Sequence, residues 1–273
     1  MGIFDKCLLV LDIDDTLVYE GKIPKRNLEA IEYFKAEGGQ VTLATGRAAV
    51  DSRNVYFKSG CNAPLIAVCG AVVYDYNSDT ALFRKQFSRQ SKQLIADLGK
   101  KYPQVGLLIY CDDKMYILNT NETVEDILRF KARMGEVVDV KKVIDKEWTK
   151  VVFIDNNIGK YEADIFKSAE TVTDDEVCFI KTDPKFIELS YKNVSKATGI
   201  QWLLQNKYQG YKVFAAGNYF NDLSMLEFAD VSCCPEESVS QIKNVCDFIG
   251  SNCSLGTVAD FIEYLKDKNS NQC

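Results

Sequence analysis

The 273-residue sequence contains no histidine. That absence removes Ser-His-Asp and Cys-His hydrolysis, histidine-ligated zinc and imidazole acid/base chemistry together. Hydrolytic work must then fall to carboxylates, lysine or a metal. Ten cysteines are present, yet there is no Cys-x-x-Cys. Cys233 and Cys234 are adjacent, and Cys7, Cys69 and Cys178 sit inside apolar runs. This spacing matches neither a disulfide framework nor a zinc site, and buried free thiols in a reducing cytosol account for it. No apolar stretch approaches the roughly 20 residues of a membrane-spanning helix. Asp12 interrupts the short N-terminal apolar run, against a signal peptide, and Lys6 spoils an N-myristoylation pattern. A cytoplasmic protein is expected. Excess basic charge is missing too: 33 Lys and Arg face 39 Asp and Glu, a net charge of −6. That balance argues against nucleic acid or an anionic membrane as the main partner, while allowing a local basic pocket for phosphate. Repeats, low-complexity tracts and long linkers are also lacking. No coiled-coil pattern or apolar surface stripe points to a partner chain, so the oligomeric state stays unassigned.

What the sequence does have is concentrated in Leu8-Leu9-Val10-Leu11-Asp12-Ile13-Asp14-Asp15-Thr16-Leu17. A continuous aliphatic run of strand length stops at three carboxylates within four residues. Buried parallel strands read as unbroken aliphatic runs, and open α/β sheets bind ligands beyond their carboxyl strand ends. Acids crowded there repel one another, which a cation among them relieves; oxygen-rich clusters select hard ions such as Mg²⁺. A solvated turn would suit Asp15 and Thr16, but Asp12 directly follows four aliphatic residues.

After this strand, Pro24 opens a helix with Leu28, Ile31 and Phe34 as its apolar stripe, and Gly38-Gly39 end it. A second buried strand, Val41 to Ala44, runs into Thr45-Gly46-Arg47 and another helix. Leu65 to Val68 reads as a third strand, and Cys69-Gly70-Ala71 then turns into Val72 to Tyr74. This alternation predicts a parallel sheet with covering helices. From about Leu82 the character changes. Val105–Tyr110 and Lys114–Leu118 flank an Asp112-Asp113 turn, and Val177–Lys181 and Phe186–Ser190 flank Thr182-Asp183-Pro184. Lys150–Ile154 is a further strand, with helices around Val124–Met134 and Ile158–Ala169. These antiparallel pairs with helices predict an α+β insert. The parallel pattern resumes with helix Lys196–Asn206, strand Lys212–Ala216 and helix Asn221–Phe228. The fold class expected is α/β, a Rossmann-like parallel-sheet core (1–81 and 187–273) carrying an inserted α+β domain (82–186).

Strand Lys212–Ala216 ends at Gly217-Asn218-Tyr219-Phe220-Asn221-Asp222, again where a buried strand meets a helix. Taken singly, Asn221 and Asp222 suit helix capping, and Lys196 suits a solvated helix face. Their ordered recurrence weighs the other way: acids at strand one, Thr at strand two, Lys at a later helix start, Asn and Asp at the next strand end.

With these motifs in that order, the chain resembles a haloacid dehalogenase superfamily phosphatase of the Cof-like branch, with a large C2-type (IIB) cap inserted between the second and third motifs. Asp12-Ile13-Asp14-Asp15-Thr16-Leu17 matches the first motif, with Asp15 in place of its usual glycine. Leu43-Ala44-Thr45-Gly46-Arg47 matches the second, Val194-Ser195-Lys196 the third, and Gly217–Asp222 the fourth except at one position. Ala229-Asp230, Ser238–Asp247 and Gly256–Ala259 extend the likeness, which runs from near residue 7 to residue 265.

The resemblance implies a Mg²⁺-dependent phosphatase for a small phosphorylated metabolite, a sugar phosphate or a vitamin-like cofactor, acting through an aspartyl-phosphate. Asp12 is then the nucleophile, and Asp14 protonates the leaving oxygen and activates water. Thr45, Gly46 and Lys196 hold phosphate, with oriented N–H groups at the start of the helix after Thr45. Asp12, the Asp14 backbone carbonyl and Asn218 are the implied metal ligands, with Asn221, Asp222 and Arg47 supporting; for Arg47 a plain ion pair fits equally well. Asn218 stands where the family carries a metal-ligating aspartate, and Cys69 where it often carries asparagine. Two alternatives therefore stand beside the phosphatase: a catalytically impaired binding or regulatory protein, and a sugar phosphomutase.

Overall fold

A computed structural model describes residues 2–111, 114–130, 135–168 and 177–270. The chain divides into two compact units, Met1–Phe83 with Val194–Cys273, and Arg84–Asn193.

The first unit opens with β1 (Cys7–Leu11), α1 (Lys25–Ala36), β2 (Gln40–Leu43), α2 (Ala49–Lys58), β3 (Leu65–Ala67), β4 (Val72–Asp75) and β5 (Thr80–Arg84). The second unit contains α3 (Arg89–Lys101), β6 (Gly106–Cys111), β7 (Lys114–Asn119), α4 (Glu122–Phe130), β8 (Glu136–Val137), β9 (Lys150–Ile154), α5 (Gly159–Ser168), β10 (Val177–Asp183) and β11 (Phe186–Tyr191). The chain then returns with α6 (Lys196–Asn206), β12 (Lys212–Ala216), α7 (Leu223–Phe228), β13 (Val231–Pro235), α8 (Ser240–Lys243), β14 (Phe248–Gly250) and α9 (Thr257–Ser270).

The first unit is built on a parallel sheet of order β14-β13-β12-β1-β2. Strand β1 is flanked by β12 and β2, and all five of its residues are buried. That explains its unbroken aliphatic character, since both faces of a parallel sheet are covered. Each such side chain removed from water contributes about 1.5–3 kcal/mol. Leu9 and Leu11 face one apolar cluster with Phe34 and Phe261; Leu8 and Val10 face a second with Ile200 and Leu203. The alternation follows from the two-residue period of a strand. Strands β3, β4 and β5 form a small separate sheet, with an isolated parallel bridge from Ala44 to Ile66.

The second unit is a six-stranded sheet of order β10-β11-β9-β6-β7-β8, antiparallel apart from the β7–β8 pair. Strand β11 pairs with β10 and β9, the antiparallel partnership expected between Val177–Lys181 and Phe186–Ser190, so this sheet runs past residue 187, where the core was expected to resume. Helix α3 was not expected either; Ser88 caps it by accepting a hydrogen bond from Ser91 N, and Ile95, Ala96 and Leu98 form its buried face. The Asp112-Asp113 turn, residues 131–134 of the expected helix and Ala169 lie outside the described residues. No helix among the described residues is long and apolar enough to cross a membrane.

One ionic contact joins the two ends of the first unit. Arg26 at the start of α1 bonds Asp260 on α9 at 2.7 Å, and the other Asp260 oxygen accepts Ser251 N at 3.0 Å. Burial opposes ionisation of Asp260, but the Ser251 and Arg26 contacts outweigh it and hold the carboxyl below its ordinary range. A carboxyl depressed on folding stabilises the folded chain above the unfolded-state value, about 4 for Asp, and loses that contribution as pH falls through the folded value. Asp260→Asn is therefore expected to lower the denaturant midpoint at pH 7. The deficit should shrink progressively as the pH is taken below the unfolded-state value of about 4, measured by urea titration at each pH.

Candidate active site

Three strand ends lie level in the first unit. Asp12 N donates to Ala216 O at 2.9 Å and Ala44 N to Leu11 O at 2.8 Å. As the chain leaves β1, Asp12 thus emerges between the residues following β2 and those following β12. Its side chain is almost wholly covered, at 8% exposure.

The residue that meets it comes from a distant part of the chain. Lys196 opens α6 with 0% side-chain exposure, and its Nζ lies 2.5 Å from both Asp12 Oδ1 and Asp222 Oδ1. It is no solvated face residue. The start of α6 reaches this depth because Gly70 lets the backbones meet. A Cβ on Gly70 would lie 1.9 Å from Ser195 O, and its φ of +99° belongs to the left-handed region. Ser195 N in turn donates to Thr198 Oγ1 at 3.2 Å, satisfying a donor that precedes the helix.

Asp222 is fully buried, and its two oxygens do different work. Oδ1 faces Lys196, while Oδ2 accepts Asn218 N at 2.8 Å and Tyr219 N at 3.1 Å. It therefore holds the loop after β12 rather than capping α7, where it makes no side-chain cap bond. Gly217 is required by the same contact, since a Cβ there would come within 2.6 Å of Asp222 Cβ. Asn218 is half-buried in this loop, and Asn221 lies at the surface.

Two carboxylates share one ammonium in a site withdrawn from water. Burial first, and then the neighbouring Asp222 charge, push the Asp12 carboxyl up to about 7, against the pull of Lys196. Burial disfavours the Lys196 charge, but Asp12 and Asp222 outweigh it and hold the ammonium well above the ordinary lysine range. Two carboxyls thus compete for one ammonium, a shortage of positive charge that a cation would relieve.

Asp14 and Arg47 stand apart from this triad. The Asp14 carboxylate is 59% exposed and takes a two-pronged contact from Arg47, with Nε to Oδ2 at 2.9 Å and a second bond from Nη2 to Oδ1. Burial works against the Arg47 charge, and the Asp14 hydrogen bond more than restores it. Thr45 is buried. Its Oγ1 accepts Arg47 N at 3.1 Å, which leaves its proton to donate, and its carbonyl accepts Cys69 N at 2.9 Å. Gly46 lies against Cys69: a Cβ at Gly46 would be 3.3 Å from Cys69 Sγ.

The donors expected for a metal are an Asp12 carboxylate, the Asp14 carbonyl and the Asn218 amide oxygen. No group of three His, Cys, Asp or Glu side chains that could hold a metal occurs among the described residues. That accords with a donor set in which a backbone carbonyl and an amide replace two carboxylates. Lys196 bonds only Oδ1 of Asp12. Hard oxygen donors beside excess negative charge fit Mg²⁺, at lower affinity than an all-carboxylate set.

One contributor escapes notice in the sequence, and it meets a residue of the first motif. Thr16 is fully buried with its Oγ1 unpartnered, and its carbonyl accepts Cys253 Sγ at 3.2 Å, tying the first-motif loop to the segment after β14. Thr16 is legible as part of its motif. Cys253, more than 230 residues away, carries no local signal. Asp15 adopts a φ of +56°, the backbone region where glycine is unstrained, and Asp is among the residues that tolerate it best.

The profile of the haloacid dehalogenase-like hydrolase family matches residues 9–262. A 5-amino-6-(5-phospho-D-ribitylamino)uracil phosphatase of Bacillus subtilis is 23% identical, covering 94% of this chain and 96% of the relative. A pyridoxal phosphate phosphatase of Escherichia coli is 22% identical, covering 93% and 97%. A crystal structure of a haloacid dehalogenase-like hydrolase from Bacteroides thetaiotaomicron shares the fold, with a TM-score of 0.85 at 20% identity, covering 95% of this chain and 99% of that one.

Removing one partner from a buried ion pair leaves the others uncompensated, a loss of about 3–5 kcal/mol. Lys196→Met is expected to destabilise the chain by that order in chemical denaturation. Adding Asp222→Asn should recover part of the loss; equal midpoints for wild type and Lys196→Met would contradict the buried triad.

Proposed function

The chain belongs to the haloacid dehalogenase-like hydrolase family, and from that membership and the geometry of its site we propose that it is a Mg²⁺-dependent phosphatase of small phosphorylated metabolites. The observation that carries this reading is the buried Asp12–Lys196–Asp222 triad at the level strand ends. The curated relatives support the substrate class, since both are named for phosphate esters of small heterocyclic compounds.

Uncatalysed phosphate monoester hydrolysis is extremely slow, so positioning and charge neutralisation carry the catalysis. Asp12 attacks phosphorus and becomes the aspartyl-phosphate; the ester oxygen leaves with a proton from Asp14. Lys196 orients the Asp12 carboxylate and offsets phosphoryl charge. The Thr45 hydroxyl donates to a phosphoryl oxygen, and Gly46 leaves room for that group beside it. Asp14 then takes a proton from the water that hydrolyses the intermediate. Both Asp14 oxygens are engaged by Arg47, so Asp14 must turn from Arg47 to meet the leaving oxygen. Mg²⁺ held by Asp12, the Asp14 carbonyl and Asn218 would add positive charge at the phosphoryl oxygens. Substrate choice is assigned to the inserted unit, Arg84–Asn193.

Asn218 favours a second reading, a protein that binds phosphate esters and turns them over weakly. The two are separated by release of phosphate from an aryl phosphate and from a panel of phosphorylated metabolites. Phosphatase action predicts Mg²⁺-dependent turnover that Asp12→Asn abolishes without changing the circular dichroism spectrum. Asn218→Asp restores a charge on the order of a few kcal/mol in a partly shielded site. It should therefore lower the Mg²⁺ concentration for half-maximal rate by about tenfold or more. A wild type silent at saturating Mg²⁺, beside an active Asn218→Asp, would favour the binding reading.

A further inference from the structure

The segment leaving the edge strand β14 returns toward the first strand. β13 and β12 separate β14 from β1, about 14 Å at the usual strand spacing. Cys253 is nevertheless fully buried, with its Sγ 3.2 Å from the Thr16 carbonyl. Residues 251–257 double back across the strand ends and are held there at several points. Asp260 Oδ2 accepts Ser251 N at 3.0 Å, Glu237 Oε1 accepts Cys253 N at 2.8 Å, and Arg26 Nη1 donates to Leu255 O at 2.9 Å. Gly256, at a φ of +105°, then turns the chain into α9. Glu237 lies in the turn after β13, so the loops following β13, β14 and β1 meet at Cys253.

What Cys253 grips is a closed loop. Ile13 O accepts both Leu17 N at 3.2 Å and Val18 N at 2.8 Å, and Val18 O accepts Asp15 N at 2.9 Å. Ile13, Thr16 and Leu17 are fully buried, while the Asp14 carboxylate is in the open. Residues 13–18 thus form one small body with Asp14 on its rim. A carbonyl can only accept, so the Cys253 thiol is the donor. Leaving a buried acceptor without its donor costs more than the net worth of the hydrogen bond. The loop could find Thr16 a new partner only by shifting, and a shift there carries Asp14, two residues away, with it.

We propose that Glu237 and Cys253 are positioning residues for phosphoryl transfer: Glu237 sets the Cys253 backbone, and Cys253 fixes, through the Thr16 carbonyl, the loop that carries Asp14. The inference rests on the phosphatase reading of the site. Both residues act at a remove from the reacting groups. They hold Asp14 where its carboxyl can meet the leaving oxygen and its carbonyl the metal. Such transfer demands near-contact geometry, so a small displacement of the loop is costly in rate. Glu237 is exposed and Cys253 buried, which lets the two ends of the relay be altered separately.

The test compares paired variants of the full chain, by Mg²⁺-dependent hydrolysis of an aryl phosphate and by amide hydrogen exchange of residues 15–18. Cys253→Ala removes the donor and is expected to lower kcat about tenfold, the rate equivalent of one buried hydrogen bond. KM should change little, and exchange at Leu17 and Val18 should quicken. Cys253→Ser keeps a donor and should restore most of both, whereas packing alone would leave serine no better than alanine. Glu237→Ala should follow Cys253→Ala in direction, and Glu237→Gln, which keeps an acceptor oxygen, should match wild type. Equal kcat in wild type and Cys253→Ala would overturn the proposal. So would loop exchange unchanged in Cys253→Ala, or serine and alanine variants alike in both readouts. A wild type that hydrolyses nothing would sink the phosphatase reading instead, and exchange would still decide whether Cys253 holds the loop.

Discussion

A single buried ammonium, Lys196, stands between two buried carboxylates, and most of the first unit is arranged to keep it there. Withdrawing three charges from water is costly unless each is met by an opposite charge or a hydrogen bond. Asp222 meets that condition fully, with two backbone N–H groups on one oxygen and Lys196 on the other. Asp12 meets it only in part, and burial shows in its raised carboxyl. The contacts that bring Lys196 to the strand ends are backbone contacts: the approach of Ser195 to Gly70, and of Asp222 to Gly217. Glycine at both positions follows from that crowding.

The site is asymmetric in its charges. On one side lies the dry triad; on the other, Asp14 sits in the open against Arg47. Two carboxylates two residues apart are thereby given different environments by one change of direction after β1. Such separation is how paired carboxylates take distinct roles. Asn218 lowers the negative charge of the loop after β12, whereas Asp15 adds a carboxylate to the loop after β1 in a backbone conformation that disfavours side chains. Nothing in the structure explains why Asp15 replaces glycine.

Much of the framework was legible. Lys150–Ile154, Lys196–Asn206 and Lys212–Ala216 lie where periodicity placed them, because a buried strand or an amphipathic helix writes its environment into its pattern. Other features left no such trace. The point where the insert ends is one: β11 still pairs within it, past residue 187 where the core was expected to resume. Asp222 reads locally as a helix cap, yet its partners are a lysine 26 residues earlier and the turn that precedes it.

By itself the sequence determined the side chains available: no imidazole, a carboxylate cluster at a buried strand end, and a threonine, a lysine and an acid in an order that resembles the haloacid dehalogenase-like hydrolases. Residue identity and spacing suffice there, because a strand fixes where its next residue emerges. Only the tertiary structure decided which charges meet, which carboxylate is dry and which is wet, and which unit claims each strand. Those outcomes depend on distances between segments up to 184 residues apart in sequence, and on burial, which no local pattern records.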